Sequence, residues 1–232
     1  MMKRIFLFLL FCSTGFYLPG QSAQQELRAA AAAFRNYENL SMEVSAYVYA
    51  TPRAASGTLI GKGKMSKSAK GYYSRFQDDE MVANTSCTVI INHAAKTIHI
   101  FNDDQRRKRK DSFIPQLDSM NNGNDSMVYR GIVDGMKLVV IYSKNSYVRQ
   151  TEVYINPSTS LMSRIVYYYA PPTEDYTADA YKSEIVYDKI SFDEPDAALF
   201  STEKFVAQKN KTWVAAAAFA QYHLTVVTTP EL

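Results

Sequence analysis

Thr88-Val-Ile-Ile-Asn-His-Ala-Ala-Lys-Thr-Ile-His-Ile-Phe101 is the stretch on which the fold turns. Two short apolar runs, rich in β-branched side chains, flank Asn92-His-Ala-Ala-Lys96. Runs of that length, bounded by polar turn residues, read as the two strands of a hairpin. The period of two continues upstream. Met42, Val44, Ala46 and Val48 alternate with Glu43, Ser45, Tyr47 and Tyr49. Pro52 to Gly57 is a turn, Gly57–Ser66 and Tyr72–Asp78 are the next strands, and Lys70-Gly71 is the break between them. Downstream, Met127–Val133 and Met136–Tyr142 flank Asp134-Gly135, a dipeptide suited to a tight hairpin turn. Met136–Tyr142 is apolar on both faces, as a central strand would be. Tyr147–Ile155 and Leu161–Tyr169 flank Asn156-Pro-Ser158, and Ala180–Phe192 is one long strand.

Helical spacing appears in two places. Leu27, Ala30, Ala31, Phe34 and Tyr37 recur at three and four residues within Gln24–Asn39, around a run of alanines with high helix propensity. Phe113, Ile114, Leu117 and Met120 do the same in a shorter segment. Ala197–Phe200 suits a helical turn, and Lys204–Val227 carries both helix and strand signals. The expectation is a mainly β (α+β) fold: nine to eleven strands, all antiparallel, in a strongly curved sheet or open half-barrel. An N-terminal helix and a short lid helix would lie on one face. No linker or repeat divides residues 23–232, so they are expected to form a single domain.

The first 22 residues read differently. Lys3 and Arg4, the apolar run Ile5–Phe11 and the small or polar residues Gly20, Gln21, Ser22 and Ala23 form the pattern of a secretory signal peptide. Cleavage would fall after Gly20, Ser22 or Ala23. Cys12 follows bulky Phe11, which argues against lipid anchoring there. Without the leader, 24 basic residues face 23 acidic ones, so the footprint of a nucleic-acid-binding protein is missing. Cys87 is then the remaining thiol, which excludes an internal disulfide and a cysteine metal site. No later apolar stretch reaches about 18 residues, the length expected of a membrane-spanning helix.

A leading helix followed by a meander whose second strand begins with Gly resembles the LolA-like family of periplasmic outer-membrane lipoprotein carriers. The resemblance is carried by Gly57-Thr-Leu-Ile-Gly61, by Lys70-Gly-Tyr-Tyr-Ser-Arg75, by the Thr88–Phe101 hairpin, and by Phe192–Val206 with Phe200 and Phe205. It implies an unclosed barrel in a Gram-negative cell envelope, with a face that binds acyl chains beneath helices. Arg75 would match the family's strand arginine that holds the helical lid. The chain departs from the family after the hairpin, where Asn102-Asp-Asp104 leads into Arg106-Arg-Lys-Arg-Lys110.

Chemistry is sparse. Neither a nucleophile elbow, a phosphate loop, a dinucleotide fingerprint nor a zincin motif occurs, and His93, His99 and His223 have no ligand spacing. The expectation is a non-enzyme with no cofactor, no metal site and no catalytic residue. If the sheet binds acyl chains, alternate strand positions should line the groove: Val44, Val48, Leu59, Met65, Tyr73, Ile98 and Ile100, with Arg75 near the lid. Arg106, Arg107, Lys108, Arg109 and Lys110 suit an anionic headgroup or an acidic partner, or else a solvated loop. The tyrosines at Tyr47-Val-Tyr49, Tyr72-Tyr73 and Tyr167-Tyr-Tyr169 suit a cavity, an interface or ordinary strand packing. Three functions stay open: a lipid or acylated-lipoprotein binding protein first, an envelope protein–protein interaction module without lipid cargo second, and a hydrolase hidden in the fold third.

Overall fold

The computed structural model describes residues 19–102, 126–144, 147–171 and 180–227. Helix α1 spans Pro19–Asn36. Its buried stripe is Ala23, Leu27, Ala30, Ala31 and Phe34, so three of the five side chains it seats are alanines. That stripe favours helix and lets the helix backbone sit close to the sheet, but it carries little apolar area. The helix starts earlier and stops sooner than its periodicity predicts. Its last main-chain bond runs from the Tyr37 amide to the Ala33 carbonyl at 3.1 Å.

Fourteen strands follow among the described residues. The first six are β1 (Leu40–Tyr49), β2 (Thr58–Ser68), β3 (Gly71–Phe76), β4 (Asp79–Ala83), β5 (Cys87–Asn92) and β6 (Thr97–Asn102). The next five are β7 (Ser126–Val133), β8 (Met136–Tyr142), β9 (Val148–Ile155), β10 (Met162–Tyr169) and β11 (Lys182–Ser191). β12 (Val206–Lys209), β13 (Thr212–Ala215) and β14 (His223–Val227) end the described chain. Single-turn 3-10 helices occupy Ala197–Phe200 and Ala217–Phe219.

Twelve strands form one curved, unclosed sheet in the order β14-β6-β5-β4-β3-β2-β1-β11-β10-β9-β8-β7, and β12 and β13 form a separate hairpin. Two meanders, β1–β6 and β7–β11, are joined where β11 pairs with β1. The expectation of purely antiparallel pairing is corrected at one edge: β14 runs parallel to β6, Leu224 beside Ile98 and Val226 beside Ile100. The strand count is also higher than expected. β4 escaped the sequence reading because it has only five residues and begins with Asp79-Glu80, which look like loop. Gln77 takes φ 54° in the turn that makes this tight return possible. The Asp134-Gly135 turn forms as expected, with φ 50° and 75°. β8 has partners on both sides but sits next to the edge strand β7 rather than at the centre.

Opposed residues in an antiparallel pair share a face, so register divides the side chains. Leu40, Met42 and Val44 oppose Lys67, Met65 and Gly63, and Val44 also opposes Tyr187. Leu40 and Met42, with Val139, Ile141, Val153, Ile155 and Ile165, form the core beneath α1, and Met65 and Tyr187 pack against it. The other face of β3–β6 carries Tyr73, Val82, Val89, Ile91, Ile98 and Ile100, buried against Phe200, Phe205 and Val206 of the C-terminal segment. Each face is therefore covered in part, one by α1 and the other, over β3–β6, by the C-terminal segment. The expected short lid helix at Phe113–Met120 and the basic run Arg106–Lys110 lie outside the described residues.

Candidate ligand-binding site

The helix face is apolar and adaptable. Between α1 and the sheet, Ala30, Phe34, Met42, Met65, Leu161, Met162 and Tyr187 line a crevice of about 10 Å³, room for about one water. Three of those residues are methionines, whose unbranched thioethers repack easily. Tyr72 donates its hydroxyl to the Met65 sulfur at 2.8 Å. Burial pushes the Tyr72, Tyr167 and Tyr187 phenols above their ordinary pKa, so all three stay neutral across the physiological range.

Polar ties hold the helix at its margins. Lys137 Nζ meets Glu26 Oε2 at 2.8 Å. The Tyr37 hydroxyl donates to the Thr159 carbonyl at 3.3 Å. Lys67 Nζ donates to the Phe34 and Arg35 carbonyls at 2.6 and 3.0 Å, capping the C-terminal end of α1. The Tyr37 ring stacks on Phe192 at 4.4 Å.

The eight residues expected to line a groove do not share one surface. Val44 and Met65 lie in the register of the helix face, as does Val48, which opposes Ser183 and through it Tyr167. Tyr73, Ile98 and Ile100 belong to the opposite face, buried beneath the C-terminal segment. Arg75 is on that same face, exposed, between Lys64 and Glu80. Leu59 lies beyond a register shift at Ala46/Tyr47 and is 44% exposed. The cause is parity: adjacent positions point to opposite faces, and short turns conceal which parity carries across. Lys67 and Lys137 are the cations that reach α1, and the short lid helix expected beside Arg75 lies outside the described residues. Sequence periodicity could have suggested Met42 through its parity with Val44. Leu161, Met162 and Tyr187 arrive from the second meander, whose pairing with the first no local pattern announces.

On the opposite face, Glu80 is 4% exposed and is bound from two sides. His93 Nε2 and Lys204 Nζ each lie 3.0 Å from its carboxylate, and His93 Nδ1 is 3.1 Å from the Tyr222 hydroxyl. Burial alone would raise the Glu80 pKa. The hydrogen bonds from His93 and Lys204, with the charges of Lys204 and Arg75, bring it below the ordinary carboxylate value. This cluster clamps the C-terminal segment to the sheet. Among the described residues no group of His, Cys, Asp or Glu could hold a metal ion.

The outer face of β8–β11 carries a third feature. Glu152 accepts the hydroxyls of Tyr154 and Tyr168 at 2.9 and 3.2 Å. Arg164 stands 3.8 Å over the Tyr154 ring, and Lys182 stands 4.1 Å over Tyr49. Adjacent tyrosines face opposite ways: Tyr72 and Tyr167 pack with the helix-face core, Tyr73 and Tyr168 with clusters on the other face, whereas Tyr47 and Tyr49 share a face.

No family model matches the chain, and no curated protein matches it in sequence. Among solved structures, an uncharacterised conserved protein from Thermus thermophilus is similar, with TM-score 0.50 and 10% identity over 89% of this chain and 100% of that one. A LolA superfamily protein from Nitrosomonas europaea is similar at TM-score 0.35 and 9% identity, over 78% of this chain and 98% of that one. The MucA/MucB complex of Pseudomonas aeruginosa is similar at TM-score 0.47 and 14% identity, over 78% of this chain and 61% of that one. The likeness to the Thermus protein is one of architecture, an open and curved sheet, and nothing about ligand or activity passes with it.

Proposed function

We propose that this is an exported, periplasmic binding protein that takes the acyl chain of a lipid or lipoprotein between α1 and the sheet. The observation that carries the reading is the construction of the cover. An alanine-faced helix, tied at its margins by polar contacts, lies over a sheet face lined with methionine and tyrosine. Displacing α1 exposes two large side chains, Leu27 and Phe34, at about 1.5–3 kcal/mol each. It also releases three polar ties of about 0.5–1.5 kcal/mol each. A dodecyl chain buried in their place offers about 0.8 kcal/mol per methylene, roughly 10 kcal/mol gross, which is on the scale of that cost. The closed crevice is then the resting state, and repacking of Met42, Met65 and Met162 opens it. The signal-peptide pattern of the first 22 residues supports export.

The test is titration of a fluorescent fatty acid into the folded protein. Saturable binding in the micromolar range is expected, abolished by Met65→Glu with circular dichroism unchanged. A folded wild-type protein that binds neither acyl probe nor acylated protein would refute the reading. A second function, an envelope interaction module, is favoured by the outer face of β8–β11. Its clustered Tyr154, Tyr168 and Arg164, with Tyr49 of the neighbouring β1, belong to the residue types enriched at protein interfaces. That reading gains if Arg164→Glu abolishes capture of a partner protein while acyl probes fail to bind.

A further inference from the structure

Among the described residues, the groups that hold Lys67 are neutral. Its ammonium donates to two main-chain carbonyls of α1 and stands 5.3 Å from the Phe34 ring. Among the described residues no carboxylate lies within ion-pair distance of it. The contrast is with Lys70, Lys137, Lys189 and Lys204, each paired to a glutamate. Lys67 also occupies the rim of the proposed ligand site. It follows Met65 by two residues on the same face of β2, and Met65 and Phe34 both line the crevice. Partial burial without a counter-charge lowers the Lys67 pKa, the sign of an ammonium not fully compensated.

The reading of the helix face as an acyl site has a consequence for this cation. When α1 moves aside, the Phe34 and Arg35 carbonyls leave with it. An ammonium then stands bare at the mouth of an apolar channel, and an anionic headgroup compensates it better than the neutral carbonyls did, because both partners of the new contact are charged. A hydrocarbon tail seated along Met65, Met42 and Met162 would place its head at that rim. We propose that the site beneath α1 selects anionic amphiphiles, and that Lys67 exchanges the helix carbonyls for the ligand's carboxylate or phosphate. Lys67 is thus both the catch that holds the helix and the group that recognises the ligand. The inference rests on the acyl-binding reading above.

Calorimetric titration with three twelve-carbon ligands below their micelle concentrations tests it: dodecanoate, dodecyl phosphate and neutral glycerol monododecanoate. Wild-type protein should bind at least one anion about tenfold or more tightly than the neutral ester. Whichever anion is preferred identifies the carboxylate or the phosphate source. Lys67→Gln should erase the preference while still binding the neutral ester, and Lys67→Arg should restore it. Equal wild-type affinity for all three ligands overturns the inference and leaves the acyl reading standing, as does a preference that survives in a folded Lys67→Gln protein. Binding of none of the three overturns both. The wild-type comparison alone decides the matter if a variant fails to fold.

Discussion

Glu80 shows how much a single carboxylate can organise. Its two oxygens join β4, the β5–β6 turn through His93, and the C-terminal segment through Lys204. Its pKa in the folded protein lies below the ordinary value, so the unfolded chain binds its proton more readily. The stabilisation is complete above the unfolded carboxylate pKa of about 4.3 and is lost as pH falls through the folded value. Urea denaturation of the wild type should therefore show a loss of stability on the acid side of pH 5. In Glu80→Gln that acid dependence should be shallower. At neutral pH the variant should be less stable by about 1–3 kcal/mol, discounted from a fully buried pair because Lys204 is partly exposed. An acid limb identical in the two proteins would show that the cluster contributes nothing. Sequence alone marked His93 as a turn histidine, but it could not supply the rest of the cluster, since Lys204 and Tyr222 lie more than a hundred residues away.

At the scale of elements, the hairpins were the most legible. Alternation, short apolar runs and their flanking turns placed β1, β5, β6, β8, β9 and β10 to within two residues, and Asp134-Gly135 specified its turn. What local pattern could not carry was pairing at long range. β1 meets β11 and β6 meets β14 through contacts that have no signature within either segment. For the same reason the candidate groove divided between two faces: Ile98 and Ile100 alternate as regularly as Val44 and Val48, and only the register across β2–β5 separates them. Helix α1 was legible from its alanines, whereas the carbonyl-capping role of Lys67 was not. Phe34 is the larger of the two anchors of α1 and is 7% exposed. Phe34→Ala should lower unfolding free energy by about 3 kcal/mol through lost burial and a residual cavity. It should also accelerate hydrogen exchange in residues 23–36 more than in β9. Equal exchange in both elements would show that α1 is no separate cover.

For the molecule as a whole, the two covers differ in kind. The C-terminal segment is fastened by a buried carboxylate and by Phe200 and Phe205, both 3% exposed or less. The leading helix is fastened by Leu27, Phe34, three alanines and polar ties at its margins. The weaker fastening belongs to the face proposed to take a ligand, which is the ordering a binding protein needs. The proposed export adds a condition at the start of that helix. Ala23 is fully buried, so processing should leave it in place, and N-terminal sequencing of exported protein should find a first residue between Gln21 and Ala23. Retention of Met1 would contradict export by a cleaved signal. The most direct measurement for the whole account is hydrogen–deuterium exchange of the intact protein across a dodecanoate titration. The account predicts that exchange in α1 accelerates about tenfold or more as ligand saturates, while β5, β6 and the C-terminal segment keep their protection. Exchange in α1 that is unchanged or slowed at every ligand concentration would contradict it.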